Sequence, residues 1–262
     1  MEGARRFIQI RNELTKLFDD HFSQQLIAYD MNFKLPEQIR GELLDIMKDG
    51  KTTIKAISEQ LNIGPKMLTF QDNFVICQDL KVVNKYTYPY LITLSDALKP
   101  FMFYGIKNHI LLRGSIAMGD YLYSDEATLL GPAVNDAADW CEMADWCGIV
   151  LTPSCGLKYE SMYHDKNAPH RAIMEEYAFC EYDVPLKNGT RQNMWSLSWP
   201  KMYHGKDNNF TSTRGFFEDL AKFCIPKGTE TKYQNTIQFF RYWKENVEKK
   251  AKEAAVILNI KN

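Results

Sequence analysis

Asp72 and Arg113 are charged residues placed inside stretches apolar enough to be strands, MLTFQDNFVIC at 67–77 and ILLRGSIAMGDYLYSDE at 110–126. An aspartate at a strand-end turn can offer both oxygens to one small site. Two such carboxylates can hold a divalent ion together with phosphate oxygens. Asp72 is the first choice, and Asp30, which closes the run QQLIAYD 42 residues earlier, is the second. Neighbouring strands would bring the two together, although both residues also suit ordinary turns that bind nothing. Arg113 is expected inside a strand, buried or half-buried. A guanidinium there needs an anion or a carboxylate, so a phosphate and a structural aspartate are both open as its partner. Asn135, in GPAVNDAADWCE, falls in the first turns of a predicted helix beside a Gly-Pro loop. Its amide can donate and accept at a pocket wall, or cap the helix.

Other chemistries find little support. None of the five histidines has the H-E-x-x-H spacing of a zinc hydrolase, and neither G-x-S-x-G nor a Walker A motif is present. GSIAMG at 114–119 lacks the lysine and the strand-to-helix turn of a phosphate loop, and Ser115 has no neighbouring base to activate it. Gly114 and Gly119 instead suggest a bulge or a close backbone approach. The six cysteines form no C-x2-C pair. Several lie in apolar runs, where free thiols are commonly buried, and a reducing cytoplasm is the simplest setting.

The elements that must carry these residues follow from periodicity. Apolar residues at Phe7, Ile10, Leu14, Leu17 and Phe18 predict a helix over 4–22. QQLIAYD reads as a short strand, and Pro36 opens a helix that stops at Gly50. A further short helix covers 52–63, with Thr52 or Thr53 as its cap. Residues 67–80 read as strand, turn, strand, reversing at Asp72-Asn73. A helix over 88–106 is expected to end or break at Pro100. Residues 109–126 suggest a hairpin, 127–146 a loop becoming a helix, and 148–154 a strand. A strand pair turns at Asn188-Gly189, and residues 230–250 form an amphipathic helix whose lysines close its C-terminus. This alternation predicts an α/β protein, an α+β sandwich with helices over one sheet, in a single domain over 1–262.

Composition bounds the function class. The chain is 45% hydrophobic and 25% charged, with a net charge of −1. No basic excess argues for duplex binding, although a local basic pocket for a nucleotide stays possible. The N-terminus is charged and periodic rather than continuously apolar, so no signal peptide is expected. No apolar run is long enough to predict a membrane span.

Taken in order, FQDNFVI, LLRGSIAMGDYLYS and LLGPAVNDAADW resemble the class III nucleotidyl cyclase family, and within it the prokaryotic pyrimidine cyclases of the Pycsar antiphage system. The resemblance covers most of residues 67–250. It implies a ferredoxin-like core sheet covered by helices, with a core over 1–155 holding both metal motifs and a subgroup-specific C-terminal part over 156–262. It assigns the second metal aspartate to Asp72 and the asparagine near the ribose to Asn135. The first metal aspartate corresponds to Asp30, in LIAYDMNFK, which lacks the glycine of the family's D-x-x-G-F; the alternative is that the first metal strand is missing. Where the family has an arginine four residues after the asparagine, this chain has Asp139, so Arg113 or a partner-subunit lysine would have to steady the triphosphate. The resemblance further implies two Mg²⁺ or Mn²⁺ ions, UTP or CTP as substrate, a 3′,5′-cyclic monophosphate and pyrophosphate as products, and a homodimer with sites at its interface. Two rivals remain: a catalytically silent cyclase-like nucleotide binder or scaffold, and an unrelated interaction protein.

Overall fold

The computed structural model describes residues 8–18, 66–70, 73–78, 87–124, 128–163, 178–203 and 211–260. The strand expected to end at Asp30, the helices expected over 36–50 and 52–63, and Asp72 itself lie outside the described residues. The chain divides into two compact units, residues 1–101 and 102–262.

In the first unit, helix α1 spans residues 8–18 and buries Ile10, Leu14 and Phe18, the one-sided stripe its spacing predicts. Strands β1 (Lys66–Phe70) and β2 (Asn73–Cys77) pair antiparallel, with Phe70 opposite Asn73. Asn73, expected in the turn, already belongs to β2. Helix α2 (Thr87–Lys107) contains the division between the units. Phe18 and Phe74 each meet the Phe101 ring edge-on, at centroid distances of 6.3 and 5.2 Å.

Pro100 does not end α2, contrary to expectation. A helix-interior proline costs about 3 kcal/mol through a lost hydrogen bond and a clash with the preceding turn. Burial of Ala97, Leu98, Phe101 and Met102 around it offsets that cost, since each large buried apolar side chain contributes roughly 1.5–3 kcal/mol.

The second unit contains β3 (Gly114–Ile116), β4 (Leu122–Ser124), β5 (Thr128–Leu130), α3 (Pro132–Met143), β6 (Ile149–Leu151), α4 (Pro153–Tyr163), β7 (Phe179–Pro185), β8 (Arg191–Leu197), a 3₁₀ turn (Trp199–Tyr203), α5 (Thr211–Leu220) and α6 (Glu230–Ile260). Its mixed sheet has the order β3-β6-β8-β7, with β3 and β6 parallel and the remaining pairs antiparallel. The predicted hairpin over 109–126 does not form. β3 pairs with β6, and β4 pairs instead with β5 as a separate ribbon. The glycine-containing AMGD segment lies between β3 and β4, and the partner of β3 is the buried Ile149-Val150-Leu151.

Alternation of side chains across the pleat fixes the two faces. Ser115, Val150 and Ser196 are register partners and share one face with Tyr182 and Met194. The Tyr182 ring packs on Phe239 and Tyr242 of α6, and Ser115 reaches α3, so these helices cover that face. Phe179 and Trp195 point the other way and meet Tyr159 of α4. The core on the α6 side is aromatic: Trp146, Trp199, Phe216, Phe239 and Phe240 are all buried, with Phe216 and Phe240 stacked at 4.0 Å.

The β7–β8 turn forms at the predicted place. Gly189 takes φ 82°, a left-handed conformation that glycine adopts freely. The Asn188 side-chain oxygen accepts from the Thr190 amide and hydroxyl at 3.0 and 2.7 Å. Helix α6 runs ten residues past its expected end, so Lys249 and Lys250 lie within it rather than at its C-terminus. AKEAAVILNI holds strong helix formers and neither glycine nor proline, and so gives the helix no reason to stop.

Candidate functional site

The candidate site centres on the crossover from β3 through α3 to β6. Both strands run parallel, so their carboxyl ends lie at the same edge of the sheet. α3 starts at that edge on one face, and α4 starts there on the other. The edge outside the carboxyl ends of parallel strands is where open α/β sheets commonly bind ligands.

Helix α3 begins with Gly131 as its N-cap and Pro132 at the first position. Gly131 has φ 139°, and a Cβ there would stand 2.7 Å from the Asp120 carbonyl oxygen and 2.8 Å from the Tyr121 Cα. Only glycine tolerates both the dihedral and the close approach. The Asp120 carbonyl accepts from the Ala133 amide at 3.3 Å, tying the loop after β3 to the first turn of the helix. Asn135 sits in this turn, exposed, while the cap carries no side-chain hydrogen bond. The capping alternative for Asn135 is thereby removed.

Asp139 is exposed one turn further along the same side of α3 as Asn135. Arg113 is exposed too, on the loop just before β3. The expected buried guanidinium is corrected here: the strand begins only at Gly114, so Arg113 keeps its water and needs no buried partner. α3 runs back along β3. Ser115 donates to the Ala137 carbonyl, and the Cys141 thiol lies 3.9 Å from the Arg113 carbonyl. Arg113 therefore lies beside Cys141, about 9 Å along the helix axis from Asn135 at 1.5 Å per residue. Ser115 is a tie between strand and helix.

At the start of α4, Thr152 acts as cap. Its carbonyl accepts from Gly156 at 2.7 Å and its hydroxyl from the Cys155 amide at 3.4 Å. Ser154 donates to Asp136 at 2.6 Å and lies 3.1 Å from the Thr152 hydroxyl. Lys158 donates to the Met118 carbonyl at 3.1 Å, binding α4 to the loop after β3. Asp136, Thr152 and Ser154 escaped the sequence reading. The available signal was Thr-Pro-Ser after an apolar strand, a cap followed by proline at the first helical position.

All six cysteines are free. Burial pushes the Cys155 thiol up to about 12, so it stays protonated and unreactive. Burial likewise raises Cys147 and Cys141.

Asp72 is one of the two residues between the paired ends of β1 and β2, and Asp30 is not among the described residues. Among the described residues no group of three or more His, Cys, Asp or Glu could hold a metal ion, and no helix is long and apolar enough to cross a membrane. No protein-family model matches the chain, and neither does any curated protein or solved structure.

Proposed function

We propose that the chain is a class III-like nucleotidyl cyclase that converts a pyrimidine nucleoside triphosphate, UTP or CTP, to its 3′,5′-cyclic monophosphate and pyrophosphate. On this reading it is a homodimer acting in the cytoplasm, and its product is an antiphage second messenger. The observation that carries the reading is the β3–α3–β6 crossover, which presents Asn135 exposed in the first turn of α3, behind the Gly131 bend and at the carboxyl edge of two parallel strands. The antiparallel β1–β2 pair, between whose ends Asp72 falls in sequence, supports the reading with a second motif.

The chemistry follows from donor types. Asp30 and Asp72 are carboxylates, the hard oxygen donors that Mg²⁺ and Mn²⁺ prefer, and they would hold the two ions. When bound, the ions supply Lewis-acid activation of the ribose 3′-hydroxyl and charge for the departing pyrophosphate. Asn135 orients the ribose through its amide, which offers both a donor and an acceptor. Positioning and charge dominate, because phosphoryl transfer asks little covalent help of a protein.

A second reading has its own observation. Asp139, exposed one turn from Asn135, puts a negative charge where the family arginine would meet a triphosphate, and this favours a silent nucleotide binder. One assay separates the two. The full chain is incubated with each of the four nucleoside triphosphates and Mn²⁺, and products are resolved by chromatography. The expected result is cyclic UMP or cyclic CMP, lost in Asp72→Ala with an unchanged circular dichroism spectrum. Nucleotide binding without product would favour the silent homologue. Full turnover in Asp72→Ala would refute the metal assignment.

A further inference from the structure

We propose that Ser154 and Asp136 form a clamp that positions Asn135. The catalytic consequence of the clamp rests on the cyclase reading; the clamp itself rests on how α3 is held.

Helices in folded proteins are normally fixed by burying an apolar face. α3 has no buried residue at all. Its Ala133, Val134 and Ala137 are only half-covered, and much of its surface is polar or exposed. Hydrogen bonds tie its first turns to their surroundings: Ala133 to the Asp120 carbonyl, Ser115 to the Ala137 carbonyl, and Ser154 to Asp136. Only the last reaches across to α4, on the opposite face of the sheet.

Donor counting gives the Ser154 link a direction. The Cys155 amide donates to the Thr152 oxygen. An ionised Asp136 can only accept, so Ser154 spends its one proton on the carboxylate. The Thr152 hydroxyl proton is then the one that serves the Ser154 oxygen at 3.1 Å. The run of donors starts at an α4 backbone amide and ends on the α3 residue next to Asn135. The carboxylate also stands by the first turn of α4, where a negative charge is favoured by the helix dipole. Replacing Ser154 with alanine removes the middle of the run and frees Asp136 to swing to water. Asn135 shares its turn with Asp136, and a shift of about 1 Å in a positioning group can cost on the order of 100-fold in rate.

The test uses the full chain as wild type, Ser154→Ala and Ser154→Thr. Two readouts are taken: amide hydrogen exchange over residues 136–143, and kcat and KM with UTP and CTP in Mn²⁺. The clamp predicts that S154A speeds exchange in α3 about tenfold, the weight of one hydrogen bond, and leaves β7 and β8 unchanged. It predicts a fall in kcat of about tenfold or more with KM little altered, and recovery of both readouts in S154T, which keeps the hydroxyl. Unchanged α3 exchange in S154A overturns the clamp whatever the activity. Faster exchange with unchanged kcat overturns the positioning role. A wild-type chain that forms no cyclic nucleotide defeats the cyclase reading and the kinetic consequence, while faster exchange in S154A would still support the clamp.

Discussion

Asp219 shows how one carboxylate can hold several elements. It is 3% exposed and takes hydrogen bonds from Lys107 at 2.7 Å, Lys222 at 3.0 Å and the Tyr203 hydroxyl at 3.1 Å. Lys107 also stands over the Phe103 and Tyr203 rings. Burial by itself raises the Asp219 carboxyl, but the bonds from Lys107, Lys222 and Tyr203 outweigh it and hold the carboxyl below its ordinary range. Burial, then the charge of Asp219, pushes the Tyr203 hydroxyl up, so Tyr203 remains a donor. A carboxyl depressed in the folded state stabilises the protein above its unfolded pKa, about 3.9 for aspartate, and loses that contribution as pH falls through the folded value. Asp219→Ala is therefore expected to cost about 2–3 kcal/mol at pH 7, as for hydrogen bonds to a charged group. Urea melts of both proteins across pH should show a difference that is flat above about pH 5 and shrinks below about pH 4. A difference independent of pH down to the acid limit would contradict the ionised network.

At the scale of elements, the sequence was most legible where local chemistry decides. The Asn188-Gly189 turn forms where expected, set by dihedral needs a few residues long; a strand forms within the expected 148–154 but only over Ile149–Leu151, because Pro153 already opens α4, and the Gly-Pro expected as a loop instead opens α3. The partner of β3 is a long-range choice, and nothing in residues 109–126 states that β6 will outcompete β4. Pro100 obeyed no local rule because burial around it prevailed. The place of Asn135 in the first turns of a helix was legible from the local sequence, whereas the Asp136–Ser154 contact joins residues 18 apart in sequence and has no local signature. Gly131 tests the element level directly. Alanine there must take φ 139° and place a Cβ 2.7 Å from the Asp120 oxygen. A strained backbone of this kind costs on the order of 1–3 kcal/mol. G131A should lower the thermal midpoint and, if α3 yields to relieve the clash, abolish cyclase activity through Asn135. A melting curve matching wild type would show that the bend is not needed.

For the whole molecule, the cyclase proposal requires Asp72 and Asn135 to serve one site. In a head-to-tail homodimer with sites at the interface, the two residues of one site come from different chains. Asp72→Ala and Asn135→Ala are then each inactive alone, since every site in either homodimer lacks one group. In a mixed dimer one site loses both groups and the other keeps both. Random exchange makes half the dimers mixed, so an equimolar mixture should recover about a quarter of wild-type activity from two dead proteins. The same geometry requires a light-scattering mass twice the 30.5 kDa of one chain, and a specific activity that falls on dilution below the dimer dissociation constant. A site built within one chain gives no recovery on mixing at any ratio, because each variant chain stays defective by itself. Recovery near one quarter, with a dimer mass, would thus place the two halves of the site on separate chains without reference to any single hydrogen bond.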